Sequence, residues 1–212
     1  MNLDNILIEG SKEAKNLLIF AHGAGAPMDS IFMNTIVENI IKSDILIIRF
    51  EFPYMSKRRL GIRTFPDNIS FLSEYYKDMY YQIKIMFPNK NIWLGGKSMG
   101  GRISAIISKE ISVKGVIVFG YPFHPINNVN KLRLACLQSK GPPILIMQGT
   151  RDKFGNINEV NTYYISDKNL IFWIEDGDHS FNTLKKSKNN SSVSIKNACL
   201  RASSFILKNQ TD

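Results

Sequence analysis

Along this 212-residue chain, short apolar runs alternate with longer mixed stretches. Six runs have strand length, at residues 17–21, 45–50, 92–94, 116–119, 144–148 and 170–174. They are nearly continuous in Ile, Val, Leu and Phe, as parallel strands buried on both faces are. Between them, residues 30–41, 70–86, 99–110 and 159–165 carry helical patterns, and a last one at 193–207 follows the final strand. Strands alternating with helices at this spacing predict βαβ units with right-handed crossovers. The expected architecture is a three-layer α/β/α domain around a mostly parallel sheet. Residues 3–9 read as an added antiparallel edge strand. No repeat, linker or Pro-rich tract interrupts the pattern, and 212 residues suit one core, so a single domain over 1–212 is expected. Residues 185–192, rich in Lys, Asn and Ser, read as a loop.

Composition removes several function classes. Hydrophobic residues make up 44% and charged residues 21%, globular values that argue against disorder. The apolar runs are far too short to cross a bilayer, and the first residues have no basic-then-apolar leader. Cys136 and Cys199 stand far apart with no histidine at ligand spacing, which predicts no structural metal and a reducing compartment, the cytoplasm by default. A net charge of +9 raises the question of nucleic acid. No aromatic-interleaved RNA motif, zinc finger or basic heptad helix accompanies it, so a small molecule is the expected partner rather than nucleic acid or a membrane.

The chemistry starts at Gly96-Lys97-Ser98-Met99-Gly100, a G-x-S-x-G pattern. Alone it is weak, and an N-cap serine in a Gly-rich turn would read the same way. Its placement is more specific, because it directly follows the strand at 92–94 and opens the helix at 99–110, as a nucleophile elbow does. A phosphate-binding loop also contains Gly-Lys-Ser, but that motif needs a glycine where Asn91 stands. No cofactor is therefore expected.

In the order that goes with such an elbow, an acid and then a histidine follow the serine. The histidines are His22, His124 and His179, and only His179 lies beyond the last strand. Among the acids between Ser98 and His179, Glu110, Glu159 and Asp167 fall on helices or their exits. Glu175, Asp176 and Asp178 share the loop of His179, an awkward position from which to reach its ring. Asp152 remains, four residues past the strand at 144–148, at the carboxyl edge where open α/β sheets bind ligands. Ser98 would attack, His179 would take its proton, and Asp152 would hold the imidazole. Two backbone N–H groups must then stabilise the oxyanion, and Met99 and Ala24 in His22-Gly23-Ala24-Gly25 are placed to supply them.

These segments, together with Gly120-Tyr121-Pro122-Phe123-His124-Pro125, Gln148-Gly149-Thr150-Arg151-Asp152 and Asp176-Gly177-Asp178-His179-Ser180-Phe181, resemble a compact α/β-hydrolase group related to dienelactone hydrolases. Its branches include a testis-expressed protein and a regulatory subunit of a histone-acetyltransferase complex. The resemblance implies an α/β-hydrolase fold from about residue 17 to the C-terminus. Dienelactone hydrolases proper carry cysteine at the elbow where this chain has Ser98, so their lactone chemistry does not transfer. Relatives known as complex subunits imply an alternative role, a non-catalytic binding or scaffold subunit with a protein partner.

Four further residues are candidates for substrate binding. Lys97 adjoins the nucleophile, and Arg58 and Arg59 follow a strand end at the same edge, so all three could present cations to an anionic substrate. Solvated surface is the competing reading. His124, flanked by Pro122 and Pro125, reads as pocket wall or turn brace. His22 reads as scaffold for its own loop. Residues 120–143 are too few for a cap domain, so an open, shallow pocket is expected. The sum is a serine hydrolase acting on small carboxylic esters or related acyl substrates.

Overall fold

The computed structural model describes residues 6–188 and 190–209. Seven strands form one sheet: β1 (Ile6–Glu9), β2 (Asn16–Ala21), β3 (Ile45–Phe50), β4 (Asn91–Lys97), β5 (Val116–Phe119), β6 (Ile144–Gly149) and β7 (Leu170–Ile174). Their order is β1-β3-β2-β4-β5-β6-β7, all parallel except β1, which runs antiparallel to β3. Residues 3–5 of the expected edge strand lie outside the described residues.

The unbroken apolar runs follow from burial on both faces. In β2 and β3, Leu17, Ile19, Leu46 and Ile48 pack to one side. That side is closed by Leu72, Tyr76 and Tyr80 of α3 (Ile69–Met86) and by Ile103 of α4 (Met99–Ile107). Leu18, Phe20, Ile45 and Ile47 point the other way, because side chains alternate along a strand. There they meet Met33, Ile36 and Val37 of α1 (Ile31–Ile40) and Ala198, Ala202 and Phe205 of α7 (Ser191–Lys208). Asn68 and Asn190 cap α3 and α7, each accepting from the backbone N–H three residues on.

Two helices depart from the expected pattern. The segment after β3 is a helix, α2 (Pro53–Arg59), with proline at its first position. Arg58 and Arg59, expected just past a strand end, therefore sit on its last turn. Residues 159–165 do not form the expected helix; a single turn, α6 (Ile157–Val160), opened by the Asn156–Glu159 capping box, ends at Asn161. The following Asn-Thr-Tyr-Tyr-Ile are all weak helix formers. Between β5 and β6, one short helix, α5 (Ala135–Gln138), replaces any cap domain among the described residues. No helix of the described residues is long and apolar enough to cross a membrane.

The chain leaves β2 through α1 toward β3 and later returns across the sheet to β4. The loops after β2 and β4 thus diverge at the carboxyl edge, and a crevice opens between them, the usual ligand position in open α/β sheets.

Candidate active site

Ser98 stands alone between the end of β4 and the start of α4, at φ 51° and ψ −111°. A non-glycine residue in that region costs about 1–3 kcal/mol and persists only where its surroundings enforce it. Here the enforcement is close packing. A Cβ on Gly96 would lie 2.6 Å from the carbonyl carbon of Gly100, and one on Gly100 would lie 2.6 Å from the carbonyl oxygens of Ala21 and His22. Only glycine fits at either position. Met99 begins α4, so its N–H is among those with no acceptor inside the helix.

β6 ends in Gln148-Gly149, and the turn beyond it carries Asp152 into the interior, fully buried. Its Oδ1 accepts the Phe154 N–H at 2.8 Å, and its Oδ2 accepts from Gln148 Nε2 at 2.8 Å and from His179 Nδ1 at 2.7 Å. A buried carboxylate needs such donors, since an unpaired one is very costly. His179 lies on the loop after β7, with Nε2 2.8 Å from Ser98 Oγ. With Nδ1–H donated to the carboxylate, the Nε2 lone pair is left to accept the serine proton. Burial, chiefly, holds the imidazole below the ordinary histidine range; the charge of Lys97 adds to this, and the bond to Asp152 opposes it. Phe154 packs on the ring, with centroids 4.4 Å apart.

An open pocket of about 310 Å³ lies against Ser98 and His179. Ala24, Phe32, Met33 and Phe154 make most of its wall apolar. A family model described as the alpha/beta hydrolase domain matches residues 14–207. The chain belongs to the alpha/beta hydrolase domain family. Solved structures with the same fold include an alpha-beta serine hydrolase homologue from Coxiella burnetii, 19% identical, with a TM-score of 0.71 over 97% of this chain and 91% of that one. A dienelactone hydrolase from Anabaena variabilis is 15% identical, with a TM-score of 0.74 over 96% of this chain and 90% of its own. A serine hydrolase without a lid from Xanthomonas campestris is 13% identical, with a TM-score of 0.69 over 94% and 88%. At such identities the likeness is one of fold.

Within this α/β-hydrolase fold, Lys97 alone of the four expected substrate contacts lines the pocket beside Ser98, and Arg58, Arg59 and His124 lie elsewhere. Arg59 pairs with Glu51 through Nε and Nη2, each at 2.6 Å, and with Asp29 at 2.6 Å. Arg58 donates to the carbonyls of Thr64 and Ala24. Neither arginine lines the pocket beside Ser98, because nearby acceptors satisfy both guanidinium groups. His124 is buried against the Pro125 carbonyl, with Nε2 3.5 Å from Glu159, and is absent from the pocket wall. Lys97 does reach the wall, but as a buried side chain rather than a surface cation. Its Nζ donates to the His179 carbonyl and lies over the rings of Phe32 and Phe181. Among the described residues, no three His, Cys, Asp or Glu side chains converge to hold a metal.

Gln148 was not among the expected site residues. Its Oε1 accepts the Tyr121 N–H at 2.7 Å while its Nε2 donates to Asp152, so it ties the β5 and β6 loops to the carboxylate. A lone amide ending the apolar run Ile144-Leu145-Ile146-Met147 was the visible signal.

Burial lowers the Lys97 ammonium to about 8, opposed by Asp152 and Asp178. The folded amine loses its proton near pH 8, while in the unfolded chain it stays charged to about pH 10.4. The unfolded state therefore binds more protons across that window, and stability rises with pH through it, by about 3 kcal/mol in total. Lys97→Met should lack this rise. Urea midpoints from pH 7 to 10.5 check it, and parallel curves for the two proteins would refute it.

Proposed function

We propose that this protein is a serine hydrolase that cleaves small carboxylic esters through an acyl-enzyme on Ser98. The observation that carries the reading is the His179 imidazole, bonded at once to Ser98 Oγ and to a buried Asp152. In the forward step Ser98 Oγ attacks the ester carbonyl carbon as its proton passes to His179 Nε2. The carbonyl electrons move to oxygen, where the N–H groups of Ala24 and Met99 receive the negative charge. Collapse of the tetrahedral adduct expels the alcohol, which takes the proton from His179. Water then attacks the acyl carbon, gives its proton to His179, and the acid leaves as Ser98 regains its hydrogen. Asp152 keeps Nδ1–H directed inward and stabilises the imidazolium that forms.

The apolar wall formed by Phe32, Met33 and Phe154 favours neutral acyl groups of modest size. The family membership and the open pocket support the same reading, as does a fold shared with a dienelactone hydrolase and with a lidless serine hydrolase. A fluorophosphonate probe, followed by intact-mass measurement and peptide mapping, tests it. One phosphonyl adduct on Ser98, with turnover in a panel of ester, thioester and lactone substrates, is the expected result. A protein that takes up no probe and turns over none of the panel would instead be a binding or scaffold subunit on the same fold.

A further inference from the structure

The basic segment of α2, set aside above as a substrate contact, touches the loop that would supply the oxyanion donor. That loop, Gly23-Ala24-Gly25, is short and glycine-rich, so by itself its peptide planes rotate easily. Its carbonyls are nevertheless gripped. The Gly23 carbonyl accepts from His22 Nδ1 at 2.7 Å and lies 3.2 Å from the Tyr54 hydroxyl. The Ala24 carbonyl accepts from Arg58 Nη1 at 3.1 Å and shares the same hydroxyl at 3.2 Å. His22 is oriented in turn, since its Nε2 accepts the Phe52 N–H at 3.1 Å. Arg58 is fixed by two bonds to the Thr64 carbonyl and by stacking on the Tyr54 ring, 5.2 Å from its centroid.

A trans peptide points its C=O and the following N–H in opposite directions, and the described residues contain no cis bond. Holding the Gly23 carbonyl against His22 and Tyr54 therefore turns the Ala24 N–H away from them. The other side of this loop is the pocket: Ala24 lines it, and a Cβ on Gly23 would lie 3.7 Å from Ser98 Cβ. We propose that Tyr54 and Arg58 are positioning residues that clamp the two peptides flanking the Ala24 Cα, Tyr54 through the Gly23 carbonyl, whose peptide carries the Ala24 N–H, and Arg58 through the Ala24 carbonyl of the next peptide, and so hold the Ala24 N–H toward the oxyanion. This rests on the serine-hydrolase reading and adds to it residues that touch no substrate. Oxyanion stabilisation depends on donors already aligned before charge develops, so a loosened clamp lowers turnover more than it weakens ground-state binding.

The test uses the full chain and an activated short-chain ester, with Arg58→Met, Arg58→Lys, Tyr54→Phe and the double variant Tyr54→Phe/Arg58→Met. Removing an oxyanion donor outright costs about 10²–10³ in kcat, and misdirecting one costs less. Arg58→Met is expected to lower kcat about tenfold and the double variant about thirtyfold, short of the loss of a whole donor, with KM held within about twofold. Arg58→Lys, which can still donate to the Ala24 carbonyl, should recover part of the loss. Inhibition by a trifluoromethyl ketone, which forms a tetrahedral oxyanion on serine, should weaken in step with kcat/KM. A double variant with kcat within twofold of wild type overturns the clamp, as does a fall in kcat with ketone affinity unchanged. If the double variant does not fold, Arg58→Met, whose side chain is only partly buried, decides by the same two criteria. Fluorophosphonate labelling of wild type is run alongside: its absence overturns the hydrolase reading and the clamp with it, while labelling with flat variant kinetics overturns the clamp alone.

Discussion

Ser98→Ala should abolish both fluorophosphonate labelling and ester turnover, with kcat falling by about 10⁶. On the proposed mechanism, the size of the effect follows from removing the Ser98 Oγ that would carry the acyl group and supply the proton to His179. The fold should survive, because among the described residues the Ser98 hydroxyl bonds His179 Nε2 alone, and the close-packed glycines around it remain. Alanine does not relieve the backbone, since its Cβ meets the same penalty at φ 51°. Glycine does. Ser98→Gly should be equally inactive yet more stable than Ser98→Ala by about 1–3 kcal/mol, the strain set free. Intact mass after probe treatment and urea melts of both variants measure these outcomes. An alanine variant that labels at the wild-type rate would mean that the nucleophile is another residue.

His179→Ala should be nearly as damaging, and His124→Ala should not be. The His179 ring bridges Ser98 and Asp152, whereas His124 lies off the pocket between Pro125 and Glu159. Losing His124 is expected to cost about 1–3 kcal/mol of stability, because its buried ring is removed together with its bond to the Pro125 carbonyl, while kcat stays within a few-fold. Proton acceptance also sets the pH profile. Burial lowers the His179 pKa below its ordinary value of about 6.5, so the neutral imidazole persists into mildly acidic solution. The acid limb of kcat/KM should therefore fall below pH 6.5, with activity lost as pH drops through it and His179 takes a proton. Steady-state kinetics from pH 4.5 to 9 on wild type, with both variants alongside, decide the matter. An active His179→Ala with an inactive His124→Ala would overturn the assignment of the base.

The parts of this protein that are legible from sequence are those governed by local patterning. Strands buried on both faces read as unbroken runs of Ile, Val, Leu and Phe, and five of the six expected runs begin and end within one residue of β2, β3, β5, β6 and β7. The run at 92–94 is extended to Lys97 in β4, because Gly95 and Gly96 lack the side chains that mark a strand. The turn at Ser98 was legible too, since a strand, a glycine-flanked serine and a helix follow one another directly. Chain order and placement at strand ends were enough to single out Asp152 and His179, whose hydrogen bonds to each other and to Ser98 span 27 and 81 residues.

Where a charged side chain ends up is another matter. Lys57-Arg58-Arg59 looks alike at each position, yet Arg59 finds Glu51 and Asp29, Arg58 finds the carbonyls of Thr64 and Ala24, and Lys97 turns inward to the His179 carbonyl. These partners lie 6 to 82 residues away in sequence, on loops that only the order of strands in the sheet brings to one edge. The same holds for Gln148, whose tie to the Tyr121 backbone exists because β5 and β6 are neighbours. Hydrophobic periodicity acts between residues a few positions apart and so is written into the sequence. The pairing of long polar side chains depends on which backbone acceptors and carboxylates the packed sheet leaves within reach, and that was decided only in three dimensions.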